Sequence, residues 1–148
     1  MPNPTVIILE RGVVGVVPAS EVRRRLERKH RAVLVDREAA HVPRPSLLWV
    51  QVRLRNPGKI SRDLSLLKKK NIEVMHGEMQ SIDPDSKRVR VPEQELNGNF
   101  LVVFPGTQLA PEQIPGLAEA GHNLHPLDGS SKIRDTTAGQ RRLAVKIQ

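Results

Sequence analysis

The sequence predicts an α/β fold built on a parallel sheet, and three observations carry that prediction. A short β-branched run, Val6 to Leu9, is followed by Gly12 and Gly15. The segment SEVRRRLERKHR then repeats apolar Val22 and Leu26 at i, i+4 among charges, and a second apolar run, Ala32 to Asp36, ends in an acid. Strand, glycine turn, amphipathic helix and strand make a βαβ unit, whose crossover sets the two strands parallel. An α/β layer architecture follows.

The remaining elements are read in order. Prolines 43, 45 and 57 bracket a stretch in which residues 46–54, around LLWV, form a short helix. Residues 61–70 predict a second amphipathic helix, with Leu64 and Leu67 inward and Lys68, Lys69 and Lys70 at its C-terminus, where cations suit the helix dipole. Ile72 to Met75 reads as a third strand. After Gly77, EMQSIDPDSKRVRVP reads as an antiparallel hairpin turning at Asp83 to Ser86. Phe100 to Phe104 is another buried strand, followed by Gly106. Residues 110–128, punctuated by Pro and Gly, read as loop, and a short helix over 131–137 leads to a strand-like tail, LAVKI. No internal repeat is visible.

Composition narrows the function. The 148 residues carry 24 Lys and Arg against 16 Asp and Glu, and 38% are hydrophobic, which suits one domain with a real core. The absence of Cys excludes a disulfide framework, a thiolate metal site and a cysteine redox centre. With no membrane-spanning run and no basic region ahead of the first apolar stretch, the reading is a cytoplasmic protein. Residues 1–90 hold 19 basic and 10 acidic residues and residues 91–148 hold 5 and 6, so an electrostatic partner would meet the first part of the chain. With Trp49, Phe100 and Phe104 as the only aromatics, nucleic-acid bases would find few stacking platforms. The run RRRLERKHR reads as the solvated face of a helix, which disfavours nucleic acid as a partner. His122 and His125 lie in a loop-like GHNLHP without a third ligand, so no metal is expected. His41 reads as a loop hydrogen-bonder, and Ser46 lacks a nucleophile motif.

The glycines and the acid carry the chemistry. In a dinucleotide-binding βαβ unit, glycines let the backbone approach a pyrophosphate at a helix N-terminus, and an acid ending the second strand binds ribose hydroxyls. Asp36, 21 residues after Gly15, stands in that place. A plain α/β crossover, with glycines that only shape a turn, is the alternative. The order VIILERGVVGVV, EVRRRLERKHRAVLVDRE, HVPRPSLLWV, ISRDLSLLKKKNIEVMHGEMQSIDPDSKRVRV, FLVVFPGTQLAPEQIPGLAEAGHNL and SKIRD resembles the N-terminal half of FAD-dependent pyridine nucleotide-disulfide oxidoreductases, closest to sulfide:quinone oxidoreductases. The resemblance implies a Rossmann-like FAD/NAD(P)-binding domain over residues 1–138, with a parallel sheet and an antiparallel hairpin insertion. By the same resemblance Gly12 and Gly15 face the pyrophosphate of FAD, Asp36 and Arg37 lie at the adenosine ribose, and the Met79 backbone meets the adenine. Pro45, Ser46, Gly106 and Thr107 fall near the flavin.

The sequence also departs from the family. Glu10 takes the place of the first glycine of GxGxxG, and a carboxylate about 4 Å from a phosphate charge costs roughly 4 kcal/mol per pair at an effective dielectric near 20. Arg11 can offset part of this. Pro18 lies where the first helix should already run, so the helix is expected to be delayed or kinked and to begin at Pro18, because a proline is tolerated in the first turn. Pro43, Arg44 and Pro105 stand where the family has aromatic or small residues. Residues 139–148 resemble the opening strand of the second, pyridine-nucleotide domain, so that domain is expected to be missing and the chain to be weakly active or inactive alone. Partners implied by the resemblance are a chain supplying that domain or a second copy of this one, with quinone or NAD(P)H as substrates and peripheral attachment to a membrane. The alternative function is a basic interaction module on the same scaffold, binding anionic partners without flavin.

Overall fold

The computed structural model describes residues 3–10, 15–104, 106 and 109–145, with the backbone alone from 138 onward. The chain forms two units, residues 1–41 with 62–107 and residues 42–61 with 108–148.

The first unit is built around strand β1 (Thr5–Glu10). It pairs in parallel with β2 (Arg31–Asp36) on one side. The 3-10 helix Leu64–Lys70 leads into β5 (Glu73–His76), which pairs in parallel with β2, while β9 (Phe100–Phe104) pairs in parallel with β1 on the other side. The sheet order is β5-β2-β1-β9. Short strands β3 (Ala40–His41) and β4 (Arg62–Asp63) pair beside it, and β6 (Ser81–Asp83), β7 (Arg88–Val91) and β8 (Gln94–Asn97) form a separate antiparallel sheet.

Alternation along β1 explains why its apolar run is continuous. Val6 and Ile8 face a core shared with Leu34, Leu64, Leu67, Ile72 and Ala19 of helix α1 (Val16–Arg25). Ile7 and Leu9 face the opposite core with Val33, Val35, Val89 and Val91. Helices cover one face and the antiparallel sheet the other, so both side-chain sets of a central strand must be apolar. Each such side chain contributes about 1.5–3 kcal/mol by burial.

The first helix begins at Val16 with Gly15 as N-cap, two residues before Pro18. Pro18 therefore sits in the first turn, where its missing N–H forfeits no helical bond. The expected continuation of the helix to Arg31 does not form. The chain leaves at Arg25 because the buried Arg23 guanidinium turns back to donate to the carbonyls of His30, Leu26 and Glu27 at 2.6, 2.9 and 2.5 Å. Val22 and Leu26 pack on the core as their spacing predicts.

Residues 61–70 are not one α-helix. Ser61 to Asp63 is extended, and Leu64–Lys70 is a 3-10 helix in which Leu64 and Leu67 are buried. Their spacing of three matches the three residues per turn of that helix. Asp63 caps it by accepting from Ser65 N at 2.7 Å, and Asn71 closes it with a left-handed φ of 59°. The hairpin over 81–91 forms as expected, but a third strand, β8, extends it.

The second unit contains α2 (Arg44–Gln51), the single turns α3 (Pro57–Ile60) and α4 (Leu117–Ala120), and α5 (Leu127–Val145). Leu47, Val50 and Ile60 form its core with Val42 and Leu127. Helix α5 starts inside the segment read as loop and continues through residues 143–145, so the strand-like reading of the tail is corrected to helix. Residues 146–148 lie outside the described residues. No helix among the described residues is long and apolar enough to cross a membrane.

Replacing Arg23 by Ala leaves three carbonyls without their cation and is expected to cost about 2–4 kcal/mol in urea unfolding. Arg23→Lys should recover less than half of that, because an ammonium lacks the guanidinium fork.

Candidate functional site

In an open parallel sheet, ligands bind outside the carboxyl ends of the strands, where the chain order reverses. Here β2 and β5 lie to one side of β1, and β9, reached last, lies to the other. At that end of the sheet lies a cavity of about 100 Å³ lined by Leu9, Glu10, Val35 and Arg37, by Gly77, Glu78 and Met79 after β5, and by Val103 and Phe104 of β9.

Register defines the row at the mouth. Glu10 stands beside Asp36 on β2 and beside Phe104 on β9, and Asp36 stands beside His76. Asp36 is 2% exposed, and its Oδ1 accepts from Glu38 N at 2.9 Å. Burial pushes its carboxyl above the ordinary value of 3.8, against the opposing pull of the Glu38 N–H. Its backbone carbonyl accepts from Gly77 N at 2.9 Å, which ties the segment after β5 to the end of β2. Arg37 is exposed and pairs with Glu38 at 3.3 Å. Among the described residues the lining thus carries Glu10 and Glu78 together with Arg37.

Glu10 lies against Gly15. A Cβ added to Gly15 would overlap its carboxylate and would lie 2.7 Å from Cδ and 2.9 Å from Cβ of the Glu10 side chain. Gly15 has φ −67° and ψ −24°, ordinary helical backbone. The absence of a side chain there serves the approach of Glu10, not a positive φ.

The structure brings Arg37 and Met79 together in the cavity, with Asp36 behind them and Gly15 beneath Glu10. Gly12 and Thr107 lie outside the described residues, and Gly106 has a left-handed φ of 68°, which a glycine adopts at no cost. Pro45 and Ser46 belong to the second unit. There Pro45 lies in the first turn of α2, and the buried Ser46 hydroxyl accepts from Arg55 at 2.6 Å. His41, read as a hydrogen-bonder, has a buried Nδ1 without a hydrogen-bond partner. Burial pushes its pKa down. Among the described residues no three His, Asp or Glu side chains gather as a metal group. Sequence reasoning missed Glu78, Val103 and Phe104. Their only local signal was a position at or just beyond a strand end.

For a group such as FAD the fit divides. The apolar walls and Arg37 suit an adenosine moiety, and the Glu10 carboxylate lies against Gly15 at the start of α1. The turn that would meet a pyrophosphate, residues 11–14, lies outside the described residues.

Neither a protein-family model nor a curated protein matches the chain. Solved structures do. The sulfide:quinone oxidoreductase of the hyperthermophilic bacterium Aquifex aeolicus is 21% identical with a TM-score of 0.82, over 94% of this chain and 32% of its own. A NAD-dependent persulfide reductase from A. fulgidus is 25% identical with a TM-score of 0.75, over 88% of this chain and 27% of its own. A ferredoxin reductase from Rhodopseudomonas palustris is 20% identical with a TM-score of 0.71, over 90% of this chain and 34% of its own. These neighbours are pyridine nucleotide-disulfide oxidoreductases, the family the sequence resembles, and this chain shares with them a Rossmann-like fold. It spans about a third or less of their length.

Two outcomes test the site's construction. Gly15→Ala should cost about 1–3 kcal/mol by overpacking. In a double-mutant cycle with Glu10→Gly most of that cost should vanish, since the two side chains would no longer compete. The raised pKa of Asp36 means that the folded state holds this proton more tightly than the unfolded one. Its contribution therefore falls as pH rises from about 4 through the raised folded value. Asp36→Asn keeps an acceptor for Glu38 N and should gain stability relative to the parent across that window, read as the difference between two urea-unfolding series.

Proposed function

We propose that this chain is the nucleotide-binding domain of a flavin-dependent oxidoreductase of the sulfide:quinone oxidoreductase kind, and that its crevice takes the adenosine portion of the cofactor. The observation that carries the reading is the cavity itself, which lies at the carboxyl ends of parallel strands where their order reverses. The neighbours' names support the oxidoreductase class. Arg37 and the Met79 segment are the contact residues. Asp36 is a positioning residue, because its carboxylate and carbonyl fix the turns that carry Arg37 and Gly77.

Binding of FAD by this chain is weak on this reading, because Glu10 takes the place of the first glycine of GxGxxG. Flavin, when bound in such a protein, supplies the electron-transfer chemistry, and the protein supplies binding and orientation. Turnover with NAD(P)H or a quinone belongs to an assembly in which a further domain, on this chain or another, completes the enclosure.

The test follows backbone amide resonances during an adenosine titration. Shifts should be confined to residues around Arg37, Gly77 to Met79 and Val103, and Val103→Trp, a substitution at a partly exposed position of an edge strand, should abolish them by filling the crevice. Shifts centred elsewhere, or undiminished in the Trp variant, would overturn the proposal.

A further inference from the structure

Helix α2 is apolar on both sides. Leu47 and Val50 pack in the core of the second unit, while Leu48 and Trp49, on the opposite side, are 56% and 46% exposed. A helix that is apolar all round is normally buried. The exposed side continues past the helix end, where Val52 donates its N–H to the Leu48 carbonyl at 3.3 Å and is 61% exposed. Arg53 then takes a left-handed φ of 65°, which is unfavourable for a residue with a side chain. The turn it makes brings the N–H groups of Leu54 and Arg55 onto the Trp49 carbonyl at 2.8 and 3.1 Å. Leu54 is 69% exposed. Four large apolar residues are thus gathered in solvent around one short helix and its terminal turn, where single scattered ones are the rule.

Charge decides what can cover them. Residues 42–61 carry Arg44, Arg53, Arg55 and Lys59, all exposed, and no acid. Arg53 donates to the Arg134 carbonyl at 3.2 Å and Arg55 to the Ser46 hydroxyl at 2.6 Å, and neither of these bonds neutralises a cation. Asp135 on α5 lies within electrostatic reach of Arg53 but is held by Arg134 at 2.9 Å. A second copy docked through the same face would set like charges against each other.

We infer that the outer side of α2 and the turn after it form a membrane-contact surface, which lays Leu48, Trp49, Val52 and Leu54 on a bilayer rich in anionic lipid. Segments that lie on bilayers combine Trp and aliphatic side chains with Lys and Arg. A Trp suits the headgroup level, because its ring is apolar and its N–H needs a polar partner. Arg44 opens α2, and Arg53 and Arg55 follow its end, so cations flank the apolar residues where lipid phosphates would lie. Eight helical residues are too few to span a bilayer, so the contact is with its surface. The inference does not rest on nucleotide binding.

Trp49 is the one tryptophan of the chain, so its fluorescence reports this surface alone. Vesicles of equal parts phosphatidylcholine and phosphatidylglycerol, added to the full chain, should shift its emission to the blue, and bromine on their acyl chains should quench it. Pure phosphatidylcholine should bind about tenfold more weakly. Raising salt from about 0.1 to 1 M, which shortens the screening length from about 10 to 3 Å, should weaken binding to the mixed vesicles by about tenfold. Leu48→Gln combined with Val52→Gln should lose about tenfold on the mixed vesicles, and Arg44→Glu about threefold there with no change on pure phosphatidylcholine. The inference is overturned if the mixed vesicles neither shift nor quench Trp49, or if the double variant binds them as the parent does. It is overturned equally if a DNA duplex shifts Trp49 as strongly as the vesicles, or if the shift arises without lipid as protein concentration rises, which would give the face to a second copy.

Discussion

Parallel pairing of β1 with β2 on one side and β9 on the other is the constraint from which the rest of the first unit follows. The pairing requires crossover connections, and these put α1 and the 3-10 helix on one face while the antiparallel sheet covers the second. With both faces covered, every interior position of β1 from Val6 to Leu9 is buried. The cost of withdrawing the strand's backbone from water is met by ladder bonds on both edges. The same register carries the site, since it aligns Glu10, Asp36, Phe104 and His76 in one row at the carboxyl ends.

The row explains how two acids come to stand side by side at the end of the sheet. A strand end is where side chains and backbone emerge from the core toward a ligand, and each strand contributes whatever residue follows its last apolar one. On β1 that residue is an acid in place of the glycine a phosphate turn prefers, and on β2 it is the acid that in dinucleotide folds meets a ribose. The two acids at the ends of β1 and β2 turn different ways. One of them, Asp36, is drawn into its own turn and buried. Glu10 turns instead toward Gly15, a position open to it only because that residue lacks a side chain.

Charge on the rest of the molecule is arranged locally. Arg24 and Arg25 share Glu21 within α1 and hold its carboxyl down at about 2, and Lys29 pairs with Glu27. Exposed pairs of this kind contribute little to stability. Arg23, in the same run, does something different. It is buried, and it ends the helix by gathering three carbonyls, so a stretch that reads as a uniform basic face divides into surface cations and one internal cap.

Sequence alone determined the parts of this protein that depend on near neighbours. The runs 6–9, 32–36, 72–75 and 100–104 became parallel strands, the Asp83–Ser86 turn became a hairpin, and Val22 with Leu26 faced the core, because period and turn chemistry act over a few residues. Tertiary structure decided what depends on distant partners. Residues 64–70 tighten to a 3-10 helix that buries Leu64 and Leu67 together against β1 and β2. Residues 143–145 extend α5 instead of forming a strand. Glu10 was legible as a misplaced charge, but the partner it meets was not. That the carboxylate packs on Gly15, and that Val103 and Phe104 close the same cavity, follows from strands far apart in sequence standing side by side, which pairwise spacing along a chain cannot encode.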